Sequence, residues 1–185
     1  MTEEELIDGI GDREGRVYAE PPQTDQPTGP YGITLDTLRA FLRPAHDRSN
    51  WNDATVSVRD LQDLAPDRAR EVVRWCLQRL LTASHLEAIA FEPLRLQMLD
   101  FAYNSGDRLA IRWLQRVLRV ERTGTMNDAT VNLLRLSDAW LVNQALVAAR
   151  LQMLDSATDP GGSVDAKYEE GLESRALKFS LLEVP

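Results

Sequence analysis

The chain has 185 residues, a mass of 20.9 kDa and a formal net charge of −8. A chain of this length buries about 70% of the surface its unfolded form exposes, so it needs no metal or disulfide staple. Its 43% hydrophobic and 27% charged residues exclude wholesale disorder, and no apolar run approaches the ~20 residues that span a bilayer.

The acidity is uneven. Residues 1–34 carry eight acids against two bases, whereas the remainder is close to balance. A net negative charge without a basic stripe argues against a general nucleic-acid binder. The bases are almost all arginine, with Lys167 and Lys178 the exceptions, which reads as genome composition rather than phosphate binding. The acidic start, MTEEELIDGIGDREG, lacks a basic n-region and a long apolar core, so no signal peptide is expected. Cys76 is the lone cysteine, which excludes an intramolecular disulfide and an all-cysteine metal site. It falls on the apolar stripe of a helix and reads as a core residue rather than a nucleophile paired with His85. His46 is the other histidine.

In chain order, a first helix starts at Thr2, where Thr2 and Glu5 fit a capping box and the early acids suit the helix dipole. Leu6, Ile7 and Ile10 form its apolar face. Residues 15–34 hold four prolines and three glycines, which forbids a helix and predicts an ordered loop with a short irregular hairpin. A second helix is expected from Thr34 to Leu42. A polar loop follows to Val56, then a short turn capped by Ser57 and Asp60. From Pro66, residues Ala69, Val72, Val73, Cys76, Leu77, Leu80 and Leu81 mark a long amphipathic helix.

Further helices are expected from Pro93 to an Asn104-Ser105-Gly106 turn, from Asp107 to Val120 with Trp113 inward, and from Asp128 to Leu136. A long one, capped by Ser137, should run to about Leu154 and be buried on more than one side through Trp140, Leu141, Val142, Ala145, Leu146, Ala149 and Met153. Residues 156–165 read as a loop and 167–181 as a closing helix. The fold class is therefore mainly α.

No phosphate-cradling glycine loop, HExxH or GxSxG is present, and no cofactor or metal is implied. One carboxylate stands out. Glu14 lies where the first helix gives way to Gly15 and the loop, a position that suits a general acid facing a groove; the bland alternative is a solvated surface residue.

The run from Glu14 through Gly15 and Tyr18 to Gly32-Ile33-Thr34 resembles the active-site segment of the lysozyme-like muramidases of glycoside hydrolase family 108. That segment opens on Glu-Gly-Gly-Tyr and closes on Gly-Ile-Thr. Leu99-Asp100-Phe101-Ala102-Tyr103-Asn104-Ser105-Gly106, followed by Trp113-Leu114-Gln115-Arg116, is similar to the start of the peptidoglycan-binding region of the same family. The resemblance implies a lysozyme-like helical domain, with an irregular loop or short β-hairpin after its first helix, followed by a helical C-terminal region. Residues 1–92 would form the catalytic region and 93–185 the binding-like region packed on it.

It also implies roles. Glu14 would protonate the glycosidic oxygen between N-acetylmuramic acid and N-acetylglucosamine. Asp25 is the nearest candidate for a second carboxylate and Thr28 for a water-orienting hydroxyl. Tyr18, Tyr31 and Thr34 would border the sugars, or the tyrosines would pack the loop. Asn104 would hydrogen-bond an acetamido group, or cap its helix. Two departures are evident: Arg16 stands where the family has its second glycine, and the family's Asp-Pro and Gly-Gly stretch is replaced by residues 20–27. The implied partner is peptidoglycan, with delivery by a holin or a phage-like particle and action at the bacterial cell wall; neither nucleic acid nor membrane insertion is implied. The alternatives are a catalytically degenerate wall-binding or structural part of such a particle, and an unrelated helical adaptor.

Overall fold

The computed structural model describes residues 1–19, 27–43, 56–157, 174 and 176–180, with side chains up to residue 153 in the long helix. Eight helices account for most of these: α1 (Glu3–Glu14), α2 (Leu35–Leu42), α3 (Val58–Gln62), α4 (Pro66–Ala83), α5 (Glu92–Ser105), α6 (Asp107–Leu118), α7 (Asp128–Leu136) and α8 (Ala139–Ala157). The mainly α class is therefore observed. Between α1 and α2 the described residues form a 3₁₀ turn (Pro30–Gly32) and two isolated antiparallel bridges, Ala19 with Thr28 and Thr28 with Thr34. Among the described residues no helix is long and apolar enough to cross a membrane.

The chain divides into two compact units, residues 3–78 and residues 79–185 with the first two residues. The division falls within α4.

In the first unit, α1 is amphipathic in the expected way, with Leu6, Ile7 and Ile10 almost fully buried. The acids on its opposite side meet arginines of α4: Arg70 binds Asp8 and Glu4, and Arg74 binds Glu4. These arginine hydrogen bonds, Arg74 first and Arg70 second, hold the Glu4 carboxyl below its ordinary range. Thr34 caps α2 by accepting from the Thr37 amide at 3.2 Å. Ser57 and Asp60 form a reciprocal capping box on α3, as their spacing predicts. The Asp60 carboxylate accepts from the Ser57 hydroxyl at 2.7 Å and its amide at 2.8 Å, and these bonds lower its pKa. Phe41 of α2 meets Trp75 of α4 edge to face at 5.6 Å. Cys76 is half-buried rather than core, because the buried line of α4 runs through Ala69, Val72, Val73 and Leu77.

In the second unit, α5 packs on α6 and α8, and α6 packs on α7 and α8. From Leu96 to Ala102 every residue of α5 is buried, so the helix lacks a polar face. Two of those residues are polar. Asp100 is fully buried and accepts from Arg150 of α8 at 2.9 Å. The Arg150 guanidinium in turn lies over the Phe101 ring at 4.8 Å. Arg150 also lies 5.8 Å from the Phe179 ring, and Asn143 donates to the Phe179 carbonyl at 3.1 Å.

Two expectations for α8 are corrected. Asp138, not Ser137, caps it: the Asp138 carboxylate accepts from the amides of Trp140 and Leu141, while the Ser137 hydroxyl donates back to Leu133 in α7. Burial is also one-sided, through Val142, Asn143, Leu146, Val147 and Arg150, while Leu141 is 57% exposed. The expected loop at 156–165 starts later, since α8 continues to Ala157. The remainder of that loop and most of the closing helix lie outside the described residues.

Candidate functional site

Glu14 is the last residue of α1. Helix α1 must stop there, because Gly15 adopts φ 90°, a left-handed conformation that costs glycine little. The chain then turns back over the helix it has just left. The Gly15 carbonyl accepts from the Tyr31 amide at 2.7 Å, the Gly29 amide donates to the Ile33 carbonyl at 2.7 Å, and Ala19 and Thr28 exchange backbone hydrogen bonds of 3.0 and 3.4 Å. The loop is thereby closed on itself and pinned to the end of α1.

Tyr31 is the pin. It is 1% exposed and holds φ 63°, an uncommon conformation for a bulky residue that the surroundings must enforce. Its ring lies flat against α1 at Gly11, where a β-carbon would come within 2.3 Å of Cε1. Arg16 reaches its hydroxyl at 3.4 Å, and Arg70 hydrogen-bonds it as well. Arg16 is itself held by Asp12 at 2.8 Å, and that bond raises its pKa. Arg70 is likewise raised, by Asp8 first, then Tyr31 and Glu4. Asp8, Asp12, Arg16, Arg70 and Tyr31 thus form one polar network beneath the loop.

The pin sets what stands beside Glu14. Gly32 follows Tyr31 with φ 70°, and the Glu14 side chain runs across it. A β-carbon at position 32 would lie 3.1 Å from Glu14 Oε2 and 3.3 Å from its Cγ. The bare main chain of the loop backs the carboxylate on one side, and Glu14 as a residue is exposed. It is an accessible acid on a fixed mount, not a carboxyl sunk into apolar surroundings.

The remaining candidates divide. Thr28 and Thr34 lie beside each other through their backbone bridge, on the loop that also carries Gly32. The Thr34 hydroxyl is engaged, lying 2.9 Å from the Thr37 hydroxyl as part of the α2 cap. Tyr18 is half-buried next to the Ala19 bridge. Tyr31 is corrected: a ring this buried cannot stack on a sugar, and its work is loop packing. Asp25 lies outside the described residues. Asn104 belongs to the other unit. Its amide donates to the Asp100 carbonyl one turn earlier on α5; the C-cap of that helix is Gly106, so Asn104 does not cap it. Among the described residues no group of His, Cys, Asp and Glu is arranged to hold a metal ion.

The second unit contains a cleft that the sequence reading passed over. It has a volume of about 380 Å³ and is lined by Leu109, Arg112, Trp113, Arg116 and Arg122. The signal was the arginine spacing along α6 and the turn after it, together with a tryptophan read as inward that is in fact half-buried.

The site and fold together define a mainly helical protein with an acid mounted at the end of its first helix under a pinned loop. No family model matches the chain, and no curated protein matches it in sequence. Among solved structures it is similar to Brucella abortus SagA, with 25% sequence identity and a TM-score of 0.58, over 96% of this chain and 95% of that one.

Proposed function

We propose that this protein is a peptidoglycan hydrolase that cleaves the glycan strand between N-acetylmuramic acid and N-acetylglucosamine, with Glu14 as the general acid. The observation that carries the proposal is the mount of Glu14: an exposed acidic residue at a helix end, its side chain laid across Gly32. The resemblance of residues 14–34 and 99–116 to the family 108 muramidases supports it; the likeness to SagA over nearly the whole chain bears on the fold.

In this reading a glycan strand lies along the loop that carries Thr28, Gly32 and Thr34. Glu14 donates a proton to the glycosidic oxygen as the anomeric bond breaks. Fixing the acid matters because proton transfer requires it within hydrogen-bond reach of that oxygen. Tyr31 is then a positioning residue, acting on Glu14 through Gly15 and Gly32. Asp25 is proposed as the second carboxylate. Its separation from Glu14 would set the stereochemistry, about 5 Å for retention and roughly 6.5–9.5 Å for inversion.

The test is clearance of a purified peptidoglycan suspension by the wild-type chain and by Glu14→Gln. The reading requires clearance by the first and a loss of about 10²-fold or more in the second, the usual contribution of a general acid. Equal clearance removes Glu14 from the chemistry. A second reading, binding to the wall without turnover, is favoured by one observation: Arg16, two residues after Glu14, stands in place of the family's second glycine and is tied into the Asp12 and Tyr31 network. Retention on insoluble peptidoglycan with no release of reducing sugar would select it.

A further inference from the structure

The cleft on α6 is lined by one face of that helix and by the turn that follows it. Leu109, Arg112, Trp113 and Arg116 share one face of the helix at i, i+3, i+4 and i+7, and that face is turned outward. Arg122 comes from the turn that follows. Three guanidinium groups therefore surround one concavity in a chain whose net charge is −8.

Three features show that the site is shaped rather than incidental. The Arg116 guanidinium lies 4.5 Å from the centre of the Trp113 ring, within cation–π reach, and Nη2 donates to the Gln152 side chain at 3.4 Å. Arg112 runs close against Gly124, where a β-carbon would come within 3.1 Å of its Nε and 3.4 Å of its Cγ; Gly124, at φ 75°, supplies the space that this arginine occupies. The turn that carries Arg122 is locked from below by Gln115, which is fully buried. Its amide nitrogen donates to the Thr123 hydroxyl, the Thr125 carbonyl and the Thr130 hydroxyl, and its oxygen accepts from the Gly124 amide at 2.9 Å.

Among the described residues these arginines also lack carboxylate partners. Glu121 and Asp128 are close in sequence, yet among the described residues neither Arg112, Arg116 nor Arg122 forms an ion pair; Arg116 meets only the Gln152 side-chain oxygen, at 3.4 Å. Arg16, Arg68 and Arg74 are paired with acids, whereas Arg108, Arg119 and Arg135, like the cleft arginines, form no ion pair among the described residues. Planar guanidinium forks match the two-oxygen edge of a carboxylate or phosphate, and a cleft of about 380 Å³ is the size of a small-ligand site.

We propose that this cleft binds an oxyanion-bearing ligand, a carboxylate or phosphate group held by Arg112, Arg116 and Arg122 beside Trp113. The inference is independent of Glu14 and holds whether or not that residue is catalytic.

The test uses the full chain, titrated with citrate and separately with pyrophosphate in low-salt buffer. Binding is followed by calorimetry and by the Trp113 indole N–H resonance. Saturable binding of at least one anion is expected, with the indole signal shifting in step. Citrate alone would identify a carboxylate site and pyrophosphate alone a phosphate site. The double substitution Arg112→Ala with Arg116→Ala should weaken binding about tenfold or more, since it removes two charge-assisted partners. Arg116→Lys, which keeps the charge but not the fork, should weaken it less. Arg135→Ala, on α7 and outside the cleft, should leave it unchanged. Failure of both anions to bind at millimolar concentration, or binding that the double substitution does not weaken, overturns the proposal.

Discussion

Gly11→Ala sets two rules against each other. Helix propensity favours the change, because alanine in a helix interior is about 1 kcal/mol better than glycine. The packing opposes it. The new β-carbon would lie 2.3 Å from Tyr31 Cε1, 2.7 Å from Cζ and 2.8 Å from Cδ1, all closer than carbon atoms can approach. The ring cannot withdraw, since the Tyr31 amide is bonded to Gly15, its hydroxyl to Arg16, and its backbone is already held at φ 63°. Overpacking of this kind costs typically 1–3 kcal/mol, and three close contacts with a rigid ring place it at the upper end. The net loss should be about 1–2 kcal/mol, or a fall in melting temperature of about 2–8 °C for a chain of this size. Thermal unfolding followed by circular dichroism measures it. Tyr31→Ala in the same chain should convert Gly11→Ala from harmful to neutral or better, a coupling read from the double-mutant cycle. If Gly11→Ala stabilises the otherwise wild-type protein, Tyr31 is not the pin of the loop and the mount proposed for Glu14 loses its basis.

Asp100→Ala should destabilise the protein by about 3–5 kcal/mol, the cost of leaving a buried Arg150 without its carboxylate. Replacing both residues together, Asp100→Leu with Arg150→Met, should recover most of that loss in chemical denaturation; no recovery would show that the pair does more than neutralise itself. The Asp60 carboxyl titrates below its ordinary value of 3.8 because it accepts from Ser57. A folded-state pKa below the unfolded one stabilises the α3 cap above the unfolded value, and that stabilisation is lost as pH falls through the folded value. The Asp60 carboxyl carbon resonance should therefore titrate below 3.8 in the wild-type protein and move upward in Ser57→Ala. An unchanged midpoint would remove the capping box as the cause.

Periodicity and capping chemistry made most helices legible. Asp128–Leu136 has the bounds that its flanking residues imply, and Thr34, Ser57 and Pro66 each mark a helix start. Where two capping residues were adjacent, Ser137 and Asp138, sequence could not rank them; the carboxylate took the helix amides and the hydroxyl took a carbonyl of α7. Hydrophobic pattern misjudged α8, because its buried face carries Asn143 and Arg150, whose partners Phe179 and Asp100 lie far away in sequence. The same limit applies at the site. That Glu14 ends a helix under a loop could be read from Gly15 and the prolines. That Tyr31 faces inward could not, because its burial depends on the missing side chain of Gly11, twenty positions away. Asp100 and Gln115, both within the stretch resembling a peptidoglycan-binding region, turn out to hold buried polar networks together.

Hydrolysis between N-acetylmuramic acid and N-acetylglucosamine with Glu14 as the acid leaves a new reducing end on N-acetylmuramic acid. Purified peptidoglycan digested by the protein should be reduced with borohydride and its new ends analysed by mass spectrometry. Reduced N-acetylmuramic acid ends are expected from the wild-type chain and almost none from a Glu14→Gln chain that unfolds at the same temperature. Reduced N-acetylglucosamine ends would place the cut at the other bond, and equal yields from the two chains would remove Glu14 from the reaction.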